Sequence, residues 1–100
     1  MALNLMTQEE TLRRSFVGVE VNEKFSEAVL EMRDGSRLHF CHRVGERWAQ
    51  AVGQTESEPG TAGEVLAALT LFRLNAKHLE LQFRDGSRWE MRFQDRPRRP

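Results

Sequence analysis

Seven stretches of the chain read as strands, several of them alternating apolar with polar residues, the period-two signature of a half-buried strand. They cover residues 16–22, 26–32, 36–43, 47–52, 69–75, 78–83 and 87–93. In the first, Val17, Val19 and Val21 fall on one face. Two Thr-x-x-Glu sequences match the capping box, in which Thr and Glu side chains satisfy the orphan amides of a helix start. Thr7-Gln8-Glu9-Glu10 predicts a short helix near 8–14, and Thr61-Ala62-Gly63-Glu64 opens a second, with Val65, Ala68 and Leu69 on one side. Val65, Ala68, Leu69 and Phe72 also fit helical spacing, so this helix competes with the strand placed at 69–75. The polar run 53–60, with Pro and two Gly, reads as a linker or exposed loop, and 94–100 as a disordered basic tail.

The pentapeptide Arg-Asp-Gly-Ser-Arg occurs twice, at 33–37 and 84–88, each time between alternating apolar runs. A three-residue hairpin loop places two residues in a type I turn and the third, usually Gly, in the left-handed region. With Arg33-Asp34-Gly35 as that loop, Met32 faces Ser36, Leu30 faces Leu38 and Ala28 faces Phe40. In the second copy Phe83 faces Ser87, Leu81 faces Trp89 and Leu79 faces Met91. Paired residues share a face of the sheet, so this register gathers the apolar side chains. A two-residue Asp-Gly loop would set Leu30 against His39 and Leu81 against Glu90, mixing the faces, and such a slip is costly when one face is buried.

The two halves therefore both read as helix–strand–strand–strand. The fold class expected is α+β, predominantly antiparallel β, with two pseudo-repeated helix–β-meander units in one compact domain over 1–93. The units are 7–52 and 61–93, joined by 53–60. Equivalent positions lie 54 apart at the Thr caps and 51 apart at the hairpins, which places a small deletion near the second helix–strand junction. The bland account is coincidence between two common Asp-Gly-Ser hairpins. Present in the first half alone is FCHRVGERWAQAV, 40–52. Where the first half carries His39, Cys41 and His42, the second carries Glu90, Arg92 and Phe93; the fourth strand and Trp48 have no counterpart. A site, if present, belongs there.

Composition narrows the function classes. The chain has 100 residues, enough for one core, and 15 basic against 15 acidic residues, so overall basicity gives no argument for nucleic acid. Thirteen of the basic residues are Arg, from coding bias or from a preference for bidentate recognition. The single Cys41 excludes an intramolecular disulfide. No apolar run approaches the roughly 20 residues of a membrane span, and the start lacks the basic and apolar regions of a signal peptide. The default is a cytoplasmic protein with no membrane association.

His39 and Cys41, two apart on a strand, share a face and are of the type that binds zinc. Two ligands do not make a site. His42 points the other way, His78 is the only further His, and no metal-binding spacing of Cys or His accompanies them. The bland reading has His39 solvated, Cys41 semi-buried and His42 hydrogen-bonded at a strand end. A thiol enzyme would need a base beside Cys41 and an oxyanion site. Neighbouring Cys41 and His42 diverge, and no oxyanion loop, phosphate loop or carboxylate pair is recognisable. The protein is read as non-enzymatic and free of cofactors. Arg33, Arg37, Arg43, Arg84, Arg88 and Arg92 on the outward rows, with the tail Arg residues, offer phosphate contacts. Glu27, Glu31, Glu80 and Glu90 share those rows and can neutralise them, and Phe40, Phe83 and Trp89 alternate onto the apolar face instead of forming a stacking platform. A protein-interaction module of accessory, regulatory or inhibitor type is the reading adopted, with nucleic-acid binding and then zinc binding as alternatives. The partner-binding candidates are His39, Arg43, Arg47 and Trp48, with Trp48 as anchor unless it is core. Edge strands also admit a homodimer.

Overall fold

The structure, a computed structural model, describes residues 6–22, 24, 26–53 and 60–93. The middle of the 53–60 linker and the 94–100 tail lie outside the described residues. The elements are α1 (Gln8–Ser15), β1 (Phe16–Asn22), β2 (Glu27–Met32), β3 (Arg37–Arg43), β4 (Glu46–Val52), α2 (Gly60–Ala68), β5 (Leu69–Asn75), β6 (His78–Phe83) and β7 (Arg88–Arg92). They make an α+β fold dominated by antiparallel strands, in two meanders ordered β1-β2-β3-β4 and β5-β6-β7.

Both hairpins take the three-residue loop. Leu30 pairs with Leu38 and Ala28 with Phe40, and Leu81 pairs with Trp89 and Leu79 with Met91. The Gly35 amide donates to the Met32 carbonyl and the Gly86 amide to the Phe83 carbonyl, both at 3.0 Å, closing the turns. Gly35 and Gly86 sit at φ 86° and 87°, where a side chain is strained. The strand at Leu69–Asn75 prevails over helical continuation, because Phe72 and Leu74 pair with Leu81 and Leu79 and are buried there.

The repeated pentapeptide does more than turn the chain. Its Asp and Ser side chains hold the start of the helix in the other half. Asp34 accepts from the Thr61 amide at 2.7 Å and Ser36 Oγ from the Ala62 amide at 3.0 Å. Asp85 accepts from the Gln8 amide at 2.7 Å and Ser87 Oγ from the Glu9 amide at 3.2 Å. These amides belong to the orphan donors of a helix N-terminus, where a carboxylate also meets the positive end of the helix dipole. The first Arg of each word holds the end of the helix in its own half: the Arg33 amide donates to Ser15 O at 2.7 Å and the Arg84 amide to Ala68 O at 2.9 Å. Arg33 adds a side-chain bond from Nε to Arg14 O at 2.8 Å, so it is not a free outward cation. Each helix is thus clamped between both hairpin loops.

Two expectations are corrected here. The second capping box does not form. α2 begins at Gly60, and Thr61 Oγ1 donates to Asp34 at 2.9 Å, so Asp34 does the capping. Gly60 is required by close approach: at φ 65°, a Cβ on it would lie 2.5 Å from Asp34 Oδ2. In α1 the expected cap does form, with Thr7 Oγ1 accepting from the Glu10 amide at 3.2 Å. The change in spacing between the halves also lies elsewhere than expected. The capped amides of Gln8 and Thr61, like the bulged strand starts at Phe16 and Leu69, lie 53 apart, and the hairpins 51. This two-residue difference in spacing therefore falls in the β5–β6 turn, not at the helix–strand junction where the expectation put it.

The helices cross over. α1 packs on α2 and on β7, and α2 packs on β3 and β4. Leu12 of α1 and Ala62 and Val65 of α2 are fully buried in one core with Leu30, Leu38, Phe40, Leu79 and Leu81. Each large apolar side chain buried there contributes about 1.5–3 kcal/mol. Phe40 meets Phe72 at 5.0 Å between ring centroids, and Phe16 meets Trp89 at 5.7 Å, joining the two sheets. The bulge at the start of β1 separates Val17 from the core-facing row: it is 51 % exposed, whereas Val19 and Val21 pack against the core.

Candidate interaction surface

The face of the four-stranded sheet turned away from the helices follows from register. Glu20, Val29, His39 and Gln50 form one cross-strand row, and Asn22, Glu27, Cys41 and Trp48 the next. Trp48 is 41 % exposed, which removes the core alternative for its indole. Cys41 lies directly opposite Trp48 and is 1 % exposed, a fully buried thiol where a semi-buried one was expected. His39 is half-buried, not solvated, and its Nε2 is shielded from solvent with no hydrogen-bond partner among the described residues. Burial, reinforced by the Arg37 charge and opposed by Glu27, pushes its pKa down, so His39 is neutral at pH 7. Arg43 pairs with Glu27 at 3.4 Å beside this row.

Three of the four expected recognition residues, His39, Arg43 and Trp48, are brought to this face. Arg47 is not. It alternates onto the other face, where its guanidinium stacks 4.6 Å from the centroid of Phe72 and covers the core. His42 also lies on that side, its Nδ1 donating to the Leu74 carbonyl near the end of β5 at 3.0 Å, which fixes the Nδ1–H tautomer. This is the strand-end hydrogen bond expected for it.

The three-stranded sheet has a different outer face. His78 bonds Glu90 at 3.0 Å, Arg88 reaches Glu80 and Glu90 at 3.5 Å each, and Gln82 donates to Glu80 at 3.2 Å. The His78 bond, aided by Arg88, holds the Glu90 carboxyl below its usual range. Glu80 and Glu90 are both paired within the sheet, and no exposed indole stands on it. Among the described residues no three His, Cys, Asp or Glu side chains converge as a metal site. No described helix is long and apolar enough to cross a membrane.

The helix clamps are the feature that sequence reasoning missed. The signal was present, since an Asp and a Ser repeated at one loop position are helix-capping residue types. It pointed to a helix distant in sequence, which local reading does not search.

No protein-family model matches the chain, and no solved structure matches it. A segment of 59 residues, 59 % of the chain, is similar at 30 % identity to the probable histone deacetylase 19 of Zea mays. It spans 12 % of that protein's length.

Proposed function

We propose that this protein is a small non-enzymatic interaction module that binds a protein partner through the outer face of β1–β4, with Trp48 as anchor and His39 and Arg43 beside it. The exposed indole carries the reading. Trp48 stands on a strand without counterpart in the second half, in a row with Cys41 and Glu27. Trp and Arg are the residue types favoured at interface centres. A neutral His39 adds a ring nitrogen that a partner's donor could satisfy. Arg47 takes a scaffold role. The ion pairs of Arg43 and Arg88 favour a protein partner over nucleic acid, because a cation already paired with a carboxylate offers less to phosphate.

We also infer that the halves descend from one helix–meander unit, which accounts for matching bulges, hairpins and clamps together, and that 1–93 folds as one cytoplasmic domain. The test of function uses wild-type chain and variants as bait in extracts of the native host, followed by affinity measurement with the recovered protein. Trp48→Ala should weaken binding by roughly thirtyfold, about 2 kcal/mol, with the fold intact by circular dichroism. Glu90→Ala and Arg92→Ala should leave it near wild type. Unchanged affinity in Trp48→Ala refutes the anchor. Micromolar binding of random duplex DNA with a steep salt dependence would replace the reading with nucleic-acid recognition.

A further inference from the structure

We propose that the free edge of β7 is a second docking site, which takes an extended segment of a protein partner as an added antiparallel strand. The template lies in the molecule. β3 and β7 occupy equivalent places after the two hairpins, yet β3 carries β4 on its far side and β7 pairs with β6 alone among the described strands. The Phe83 amide donates to Ser87 O and the Phe93 amide to Lys77 O, so alternate residues 87 to 93 turn their backbone groups toward β6. The amides and carbonyls of Arg88, Glu90 and Arg92 therefore face away from it.

The side chains repeat the asymmetry. In the first half β4 sends Arg47 over Phe72, which is 7 % exposed, and Phe40 beside it is 1 % exposed. Their counterparts in the halves' shared numbering, Val19 and Met91, are only partly buried. An added strand would cover them as β4 covers theirs. Its inward residues would be small, like Ala49 and Ala51, which pack against the core. Its outward residues would be acidic opposite Arg88 and Arg92 and basic opposite Glu90. A second copy of this chain fits less well: full overlap sets Glu90 against Glu90 and Arg88 against Arg92, and a two-residue shift relieves this only by shortening the paired stretch. The site is separate from the Trp48 face.

Amide NMR on the full chain tests it, with a synthetic nine-residue peptide bearing acidic, basic and acidic side chains at alternate positions and alanine or valine between. In the free protein the Glu90 amide should exchange at least about tenfold faster than that of His39, which faces β4. The peptide should shift the Arg88, Glu90 and Arg92 amides and slow Glu90 exchange, unaltered by Trp48→Ala. Glu90→Pro, which removes an edge amide without touching the β6 ladder, should abolish the response. Protection of Glu90 in the free protein overturns the proposal; if that protection rises with concentration, a second copy is the occupant, and otherwise the chain covers its own edge. Absence of shifts at millimolar peptide, or shifts centred on another strand, overturns it as well.

Discussion

Removing the Asp34 carboxylate should destabilise this protein more than removing Asp85, although the two stand in the same pentapeptide. Asp34 accepts from the Thr61 amide and hydroxyl at 2.7 and 2.9 Å and from the Ser36 amide at 2.9 Å. Besides Asp34, only Ser36 of the same hairpin caps α2 among the described residues: Gly60 stands at its start and its first turn carries no acidic residue. α1 keeps Thr7 as its own cap and Glu9 and Glu10 in its first turn. Loss of a capping side chain costs about 0.5–2 kcal/mol, and the lost charge at the helix terminus about 0.3–1 kcal/mol. We expect about 2 kcal/mol for Asp34→Ala and a smaller loss for Asp85→Ala. For a chain of this length 2 kcal/mol is roughly a 10 °C drop in Tm. The hydrogen bonds from Ser36 and Thr61 hold the Asp34 carboxyl far below its usual range of 3.8. A depressed carboxyl binds its proton more weakly folded than unfolded, so its stabilisation is present above the unfolded pKa and lost as pH falls below about 4. Urea unfolding of both alanine variants and of Asp34→Asn, at pH 7 and pH 3, is the assay. At pH 3 the gap between wild type and Asp34→Asn should narrow. An Asp34→Ala variant as stable as wild type would refute the clamp as a source of stability, and equal costs at the two aspartates would refute the asymmetry.

Gly86→Ala should cost about 1 kcal/mol from backbone strain alone, since space for a Cβ is open there, and equilibrium unfolding will show it. His39 predicts a separate pH response: its depressed pKa means the folded state resists protonation, so stability is full above about 6.5 and declines as pH falls through the folded value. The decline should vanish in His39→Leu; an unchanged slope between pH 7 and pH 5 rules out His39 as its source. Cys41, buried opposite the exposed Trp48, should be inert to an aromatic disulfide reagent in the native protein and become reactive in Trp48→Ala without a large loss of Tm. Equal reaction rates in the two proteins would show that the indole does not shield the thiol.

Legibility of the fold in the sequence followed the range of the interactions concerned. Hairpin register was readable because it depends on nearest neighbours: Leu30 must find Leu38, and a one-residue slip would bury His39. The strand at Leu69–Asn75 was ambiguous because Val65, Ala68 and Phe72 satisfy both periods, and pairing of Phe72 with Leu81 decided it. The Thr61 box was misread because its pattern is local, whereas Asp34 competes for the same amide from 27 residues away. Arg47 was grouped with the other three although it takes the opposite face, because membership in the unmatched segment says nothing about which face a side chain takes. Strand alternation placed His39, Arg43 and Trp48 together, and it places Arg47 opposite them once Trp48 is paired with Cys41.

The division of labour between the repeated and unrepeated residues has a physical basis. A helix of eight or nine residues is marginal alone, and neither helix lies chiefly on the sheet of its own half. Stability then depends on both hairpins presenting Asp, Gly and Ser in one geometry, so the pentapeptide is constrained twice over. The outer faces carry no such constraint. One became a lattice of ion pairs through His78, Glu80, Arg88 and Glu90, while the other holds an exposed indole, a neutral imidazole and a buried thiol. The face around Trp48 carries the ion pair of Arg43 with Glu27 and leaves its indole exposed, and that indole is the surface the proposed partner would use.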